Sequence, residues 1–261
     1  MSSSAVAAPV TLVIPALNEA QRIAPFLAEV RRWVVDHPDT EVIVVDDGST
    51  DATAAVVRRH LGTIPGFRLL RLSTNRGKGS AVRVGFGAAT GRYRIFLDAD
   101  GSTSVYQVPE LIAAADGRDD VVVIGSTMVD GAVVEGEQDA LRRFVGRLGN
   151  RLIQRVAVPG VTDTQRGCKL VSARWCREVL PSCSIDGWAF DIELLALSRD
   201  AGYEIREIPV HWHHVEGSNV HLGGYLQTLR DLAKIWWRRR RAPEYTPTGS
   251  GDPPVRPVAR R

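Results

Sequence analysis

The chain has 261 residues, 44% hydrophobic and 24% charged, with a formal net charge of +3; such a chain buries a full core in one or two domains and is neither fibrous nor disordered. The charge is uneven, because residues 238–261 hold seven arginines against Glu244 and Asp252, a net +5, which leaves −2 for residues 1–237. No apolar run is long enough to span a bilayer, no signal-peptide core follows Met1-Ser2-Ser3-Ser4, and Cys168, Cys176 and Cys183 lack the paired spacing of a zinc site. A reduced cytosolic protein is expected, whose basic tail suits an anionic surface such as lipid head groups, with nucleic acid as the competing partner.

Residues 1–8 read as a flexible N-terminus. Thr11-Leu12-Val13-Ile14-Pro15 predicts a short buried strand ended by the proline, followed by a loop, Ala16-Leu17-Asn18-Glu19, and a helix from about Arg22 to Val35. Glu41 to Val45 repeats the plan, and Asp46-Asp47-Gly48-Ser49-Thr50-Asp51 supplies groups able to cap a helix starting near Ala52. Phe67 to Leu72 predicts a third strand and Lys78 to Ala89 a third helix. Between them, Asn75-Arg76-Gly77-Lys78-Gly79 follows the wrong strand for a dinucleotide fingerprint and lacks the Walker spacing. It remains a glycine-rich turn into a helix N-terminus, either with solvated bases or with Arg76 and Lys78 facing an anion.

Tyr93 to Leu97 predicts a fourth strand, and strand alternation then sets Asp98 and Asp100 on one side as the chain leaves the sheet. Carboxylates this close repel, so the pair suits a hard divalent cation, Mg²⁺ or Mn²⁺, better than zinc. A polar cap on an Asp100-Gly101 turn is the other reading. Alternating strands and helices predict an α/β fold, a parallel sheet flanked by helices, in which ligands sit at the carboxyl ends of the strands. The polar clusters after Pro15, Val45 and Leu97 all fall at that edge, which favours a site there.

Leu111 to Ala115 completes a short helix and Val121 to Ile124 gives a fifth strand. A less regular region follows, with Asp139, Arg142, Arg143, Arg147 and Arg151 at helical spacing, as on a solvated face or a phosphate site. Gly160 to Leu170 reads as a single loop holding Asp163, Arg166 and Lys169, and the stretch from Gly187 opens a helix with Asp191 in its first turn, where a dipolar role would suffice. Glu204 to His211 predicts a strand; His211 and His213 share a face, but no third metal ligand stands at suitable spacing. Leu222, Tyr225, Leu226, Leu229, Leu232, Ala233 and Trp236 follow the helical period and predict a buried stripe over the first half of a helix. Ile235-Trp236-Trp237 beside Arg238 to Arg241 reads as an interfacial anchor, so residues 222–241 are expected to form an amphipathic, basic, membrane-associating helix, and 242–261 a disordered tail.

Taken together, Val13 to Glu19, Val45 to Asp51, Asn75 to Gly79 and Asp98-Ala99-Asp100-Gly101 resemble, in order and spacing, family 2 glycosyltransferases of the GT-A, Rossmann-like fold. Thr162 to Leu170, Trp188 to Leu195 and Glu216-Gly217-Ser218 resemble more narrowly the dolichyl-phosphate β-glucosyltransferases and their bacterial polyprenyl-phosphate relatives. The resemblance covers roughly residues 9 to 237 and implies a catalytic domain over 9–221 with a mostly parallel sheet. It implies that Pro15, Asn18 and Glu19 line the nucleotide pocket, with Asp46 near the base, Asp47 near the ribose and Lys78 approaching the nucleotide. Asp98, Ala99 and Asp100 would hold the nucleotide-sugar, and Asp98 and Asp100 the Mg²⁺ or Mn²⁺. Relatives usually place a lysine or arginine after Gly-Ser to meet the diphosphate; Asn219 stands there in this chain, so that charge must come from elsewhere.

The implied reaction moves glucose with inversion from UDP-glucose to the phosphate of a membrane-embedded polyprenol, carried out by a peripheral protein at the cytoplasmic face. Arg166, Lys169 and one of Arg142, Arg143 or Arg147 are assigned to the acceptor phosphate, with Ser218 nearby. Asp163 and Asp191 are candidates for a base or for orienting those arginines, with Asp163 preferred; with Asp100 and Arg166 they make up the expected catalytic set. The expected partners are a nucleotide-sugar, a polyprenyl phosphate and an anionic membrane, and no nucleic acid. Competing accounts are a GDP-mannose donor, a soluble acceptor, a nucleotidyltransferase, whose glycine signature would have to replace Pro15 to Glu19, and a non-catalytic sugar-nucleotide-binding protein, which would not need both acids.

Overall fold

The computed structural model describes residues 10–136, 153–155, 157–215 and 222–241. Its main sheet is built from β1 (Val10–Ala16), β2 (Thr40–Asp46), β3 (Phe67–Arg71), β4 (Tyr93–Leu97), β5 (Val121–Ser126), β7 (Cys168–Ser172) and β8 (Glu204–Pro209). The strand order is β3-β2-β1-β4-β7-β5-β8, parallel throughout except for β7, which runs antiparallel to both β4 and β5. This is the mostly parallel, helix-flanked sheet expected, with one reversed strand inserted near its middle. A second, two-stranded sheet pairs β6 (Val133–Glu135) with β9 (His211–His213).

Alternation along the strands creates two cores. Val13, Ile43, Val45 and Phe96 point to one side, where they meet α3 (Lys78–Ala88), α5 (Ala173–Glu178), α6 (Phe190–Asp200) and α7 (Leu222–Arg241). Leu12, Ile14, Val42, Val44, Ile95 and Leu97 point to the other, under α1 (Ile23–Asp36), α2 (Thr53–Leu61) and α4 (Val108–Ala115). Strands covered on both faces read as continuous apolar runs, which is why β1, β2, β4 and β5 were visible in the sequence.

β7 was not. The sequence reading ran its first residues into a loop, because Lys169 interrupts the apolar pattern of Cys168 to Ser172. In the fold Lys169 pairs in register with Phe96 and Ile124 and is fully buried. The helix α7 also differs from its predicted stripe. Asp231, Leu232 and Ile235 are buried against the domain, whereas Leu229, Trp236 and Trp237 are exposed. Ile235 is therefore a core residue and not part of an anchor. Two of the four arginines expected to face lipid make ion pairs with the domain: Arg238 with Glu193 at 3.3 Å, its own side chain still exposed, and Arg239 with Asp200 at 2.6 Å. Among the described residues no helix is long and apolar enough to cross a membrane.

Candidate active site

The loops at the carboxyl ends of β1, β2 and β3 are bolted together by main-chain and side-chain hydrogen bonds. Asn18, at φ 52°, donates its N–H to Ser49 Oγ at 2.9 Å and accepts Thr50 N–H at 2.9 Å. Glu19 N–H reaches Thr53 Oγ1 at 2.8 Å, and Asp51 caps the start of α2 by accepting Thr53 N–H at 2.9 Å. Asp47 extends the lattice by accepting Arg76 N–H and Gly77 N–H at 2.9 and 2.7 Å. Gly77 is required there, since at φ 105° an added Cβ would also come within 2.4 Å of the Asp186 carbonyl. The turn delivers Lys78 at the head of α3, where its ammonium meets Asp98 Oδ1 at 2.6 Å.

These loops enclose a cavity of about 630 Å³. Pro15, Asn18, Glu19, Asp47, Lys78, Asp98, Ala99 and Asp100 line it, together with Arg166 and with Gly167, whose carbonyl accepts Asp98 N–H at 3.1 Å. The structure thus gathers at one rim most of the residues expected on the nucleotide side. It adds residues that the sequence reading passed over, among them Arg22, Asn75, Gln165, Trp188 and Trp212. Arg22 carried a signal that could have been used, since it lies three residues after Glu19 at a helix entry. Its guanidinium grips Glu19 with two hydrogen bonds of 2.8 and 2.6 Å. Trp212 gave no local signal, because only the fold brings β9 to the cavity.

Electrostatics mark this rim as short of positive charge. Burial pushes the Glu19 carboxyl above its ordinary range and Asp100 and Asp98 add to the rise, while Arg22 pulls against it. For Lys78 burial opposes the charged form, but Asp98, Asp191 and Asp100 outweigh it and raise the ammonium's pKa. That ammonium also lies 5.3 Å from the centre of the Phe96 ring and 5.2 Å from that of Trp188, inside cation–π range. Two carboxylates facing a cavity beside an arginine and a lysine form a donor set of hard oxygens. It fits a divalent ion of the magnesium type, which takes one or two protein carboxylates and completes its shell with water and phosphate oxygens. Among the described residues there is no group of three or more His, Cys, Asp or Glu able to hold an ion by itself.

The geometry corrects the assignments of Asp46 and Lys169 and narrows the alternatives left open for Asp191 and Asp163. Asp46 is not in the lining: its carboxylate is fully buried, accepts Ser49 N–H at 2.8 Å and pairs with Arg71, its neighbour on β3, at 3.0 Å. Lys169 cannot reach an acceptor from the cavity, because its ammonium is sealed against Asp191 at 2.6 Å and the Arg166 carbonyl at 2.5 Å. Asp191 is buried by the same pairing and does not line the cavity, so it is not placed to act as a base. Asp163 is not in the lining either; it accepts from Thr127 N–H and Oγ1 at 3.0 and 2.7 Å and holds Arg166 Nε at 2.9 Å. It orients Arg166, whose guanidinium lies 4.6 Å from the centre of the Trp212 ring. Arg142, Arg143, Arg147 and Ser218 lie outside the described residues.

The sheet, covered on both faces, carries at its carboxyl rim a cavity lined by an acid pair, a lysine and two arginines, on the strand order of a mostly parallel α/β fold. The family model for glycosyl transferase family 2 matches residues 11–180, and the chain belongs to that family. It is 35% identical over 248 residues to a dolichyl-phosphate beta-glucosyltransferase of Drosophila melanogaster, covering 87% of this chain and 74% of the relative. The Homo sapiens protein of the same name is 32% identical over 242 residues, 86% of this chain and 74% of that one. Among solved structures, glucosyl-3-phosphoglycerate synthase from Mycobacterium tuberculosis in complex with Mn²⁺, UDP-glucose and phosphoglyceric acid shares the fold. It matches with a TM-score of 0.65 at 19% identity, covering 91% of this chain and 81% of that chain.

Proposed function

We propose that this glycosyltransferase moves glucose from UDP-glucose to the phosphate of a dolichyl-type polyprenol, giving a β-linked polyprenyl phosphosugar and UDP. The observation that carries the reading is one cavity lined by Asp98, Asp100 and Arg166, in a chain whose relatives bear the name dolichyl-phosphate beta-glucosyltransferase. An acceptor phosphate oxygen attacks the anomeric carbon as the bond from that carbon to the UDP oxygen breaks, so one displacement inverts the configuration. Asp98 and Asp100 are the residues that would hold Mg²⁺ or Mn²⁺, which when bound would supply positive charge for the departing diphosphate.

The chain's own residues account for the rest. Arg22 and Lys78 bring to the donor side the positive charge that Asn219 does not. Arg166, braced by Asp163 and Trp212, binds the acceptor phosphate. A phosphate monoester with a second pKa near 6 is largely dianionic at neutral pH, so its attack needs orientation more than a base. This agrees with Asp163 and Asp191 both being engaged elsewhere. Leu229, Trp236 and Trp237 on the exposed side of α7 would rest at the membrane surface on the cytoplasmic side, bringing the cavity to the acceptor.

A donor panel with a short-chain polyprenyl phosphate tests the reading: UDP release from UDP-glucose is expected, and release of GDP from GDP-mannose alone would replace glucose by mannose. Truncating α7 at residue 235 would also remove the Glu193 and Asp200 ion pairs, so the membrane contact is tested by Trp236→Ser/Trp237→Ser. Its co-sedimentation with anionic vesicles should fall severalfold; unchanged binding would refute the contact.

A further inference from the structure

The chemistry above leaves one buried ion pair without a role. Lys169 occupies the middle of β7 with its side chain 0% exposed, and Asp191, in the first turn of α6, is 2% exposed. Their charged atoms meet at 2.6 Å, and the same ammonium donates to the main-chain carbonyl of Arg166 at 2.5 Å. Burial pushes the Asp191 carboxyl above its ordinary range, with Lys169 and Lys78 drawing it down. Replacing a buried ion pair by apolar residues of equal volume is often neutral or stabilising, so stability is a poor reason for two charges here. Their position offers a better one. The carbonyl that Lys169 grips belongs to Arg166, which lines the cavity and whose guanidinium lies against Trp212, another lining residue.

We propose that Lys169 and Asp191 are positioning residues for Arg166. Asp163 and Trp212 hold the guanidinium end of that side chain, at 2.9 and 4.6 Å; the buried pair holds its root. A charge-assisted bond to the Arg166 carbonyl fixes the main chain where the segment turns from the cavity into β7, and so sets the line along which the guanidinium reaches the acceptor phosphate. This rests on Arg166 being the acceptor-phosphate ligand.

The test uses the full chain with Mn²⁺, UDP-glucose and a short-chain polyprenyl phosphate. Lys169→Met alone would leave Asp191 buried without a partner and is prone to unfold, so the pair is removed together as Lys169→Met/Asp191→Asn. A second variant, Asp191→Glu, keeps the charges and shifts the carboxylate by one methylene. Both should raise the acceptor KM, the first by about tenfold, while the donor KM stays within about twofold. In an Arg166→Ala background the double substitution should add less than about twofold, because its effect passes through a side chain no longer present. An equal rise in both KM values, or the full effect persisting in the Arg166→Ala background, overturns the proposal. A wild type that releases no UDP with polyprenyl phosphate overturns the acceptor reading and this proposal with it, whereas an active wild type with additive variants overturns this proposal alone.

Discussion

At the amino ends of the parallel strands, Glu41 accepts from Thr11 at 2.7 Å, from Thr90 N–H and Oγ1 at 2.8 and 3.0 Å, and from Arg68 at 3.0 Å. On the same edge, at the far side of the sheet, Arg118 bridges Asp120 and Glu204. At the carboxyl ends, Glu19, Asp98 and Asp100 share one cavity with Arg22, Lys78 and Arg166. The two rims treat their acids in opposite ways. Burial alone would raise Glu41, but its hydrogen bonds, led by Thr90, hold it below its ordinary value, and Asp120 and Glu204 are lowered by Arg118 and Arg206. Glu19 is raised, by burial first and then by Asp100 and Asp98. One rim satisfies its charges within the protein and closes the fold; the other keeps them crowded and under-compensated, a state that a cation and a phosphorylated ligand would relieve.

Substitutions should separate the rims. The largest effect is expected from Asp100→Ala, which should lower metal-dependent UDP release by about 10³-fold, several kcal/mol of transition-state charge stabilisation, with melting almost unchanged. Near-normal release would break the distinction at its strongest point. Next comes Gly167→Ala: an added Cβ would stand 1.9 Å from the Asp98 carboxylate, so that carboxylate must move. A displacement of about 1 Å in a reacting array costs on the order of 10²-fold, read as kcat/KM with the Mn²⁺ requirement measured beside it.

The amino rim should answer in stability and not in turnover. Glu41→Gln is expected to cost about 1–3 kcal/mol in denaturant unfolding, with UDP release unchanged. Because the folded pKa of Glu41 lies below its ordinary 4.5, its contribution is present above that value and lost as pH falls through the folded one. The wild type should therefore lose stability on that acid limb, and Glu41→Gln should lack this part of the loss. Glu19 has the opposite sign. Its folded pKa is raised above 4.5, so it favours folding below that value and loses this contribution as pH rises through the folded one. Glu19→Gln should thus change stability at neutral pH by less than about 1 kcal/mol, the smallest effect of the set, while turnover falls as Arg22 loses its charged partner. If Glu19→Gln instead unfolds the protein and spares turnover, the contrast between the rims fails.

The same contrast explains what could be read in the sequence. β1, β2 and β4 were legible because strands covered on both faces are apolar from end to end, and the acids that follow them stand out by their abruptness. Pro15, Asn18, Glu19, Asp47, Lys78, Asp98 and Asp100, which the sequence singles out for that reason, line one cavity in the fold. Asp46 failed because its neighbour Asp47 is identical in type, and only the sheet decides which of two adjacent aspartates turns inward to Arg71. The burial of Lys169 against Asp191 was not legible, because a lysine in a strand reads as a break in the strand, and pairing across elements leaves no trace in spacing. Trp212 and Arg238 depended on long-range packing, which brought one to the cavity and paired the other with Glu193.

The central claim is that the carboxyl rim is a diphosphate site completed by a divalent cation on Asp98 and Asp100. Calorimetric titration of UDP into the protein, with and without Mn²⁺, tests it most directly. Binding should tighten by tenfold or more with Mn²⁺ in the wild type, about 1.4 kcal/mol, and the gain should vanish in Asp98→Asn/Asp100→Asn. UDP affinity that is the same with and without Mn²⁺, or a Mn²⁺ gain that survives loss of both carboxylates, would contradict the account.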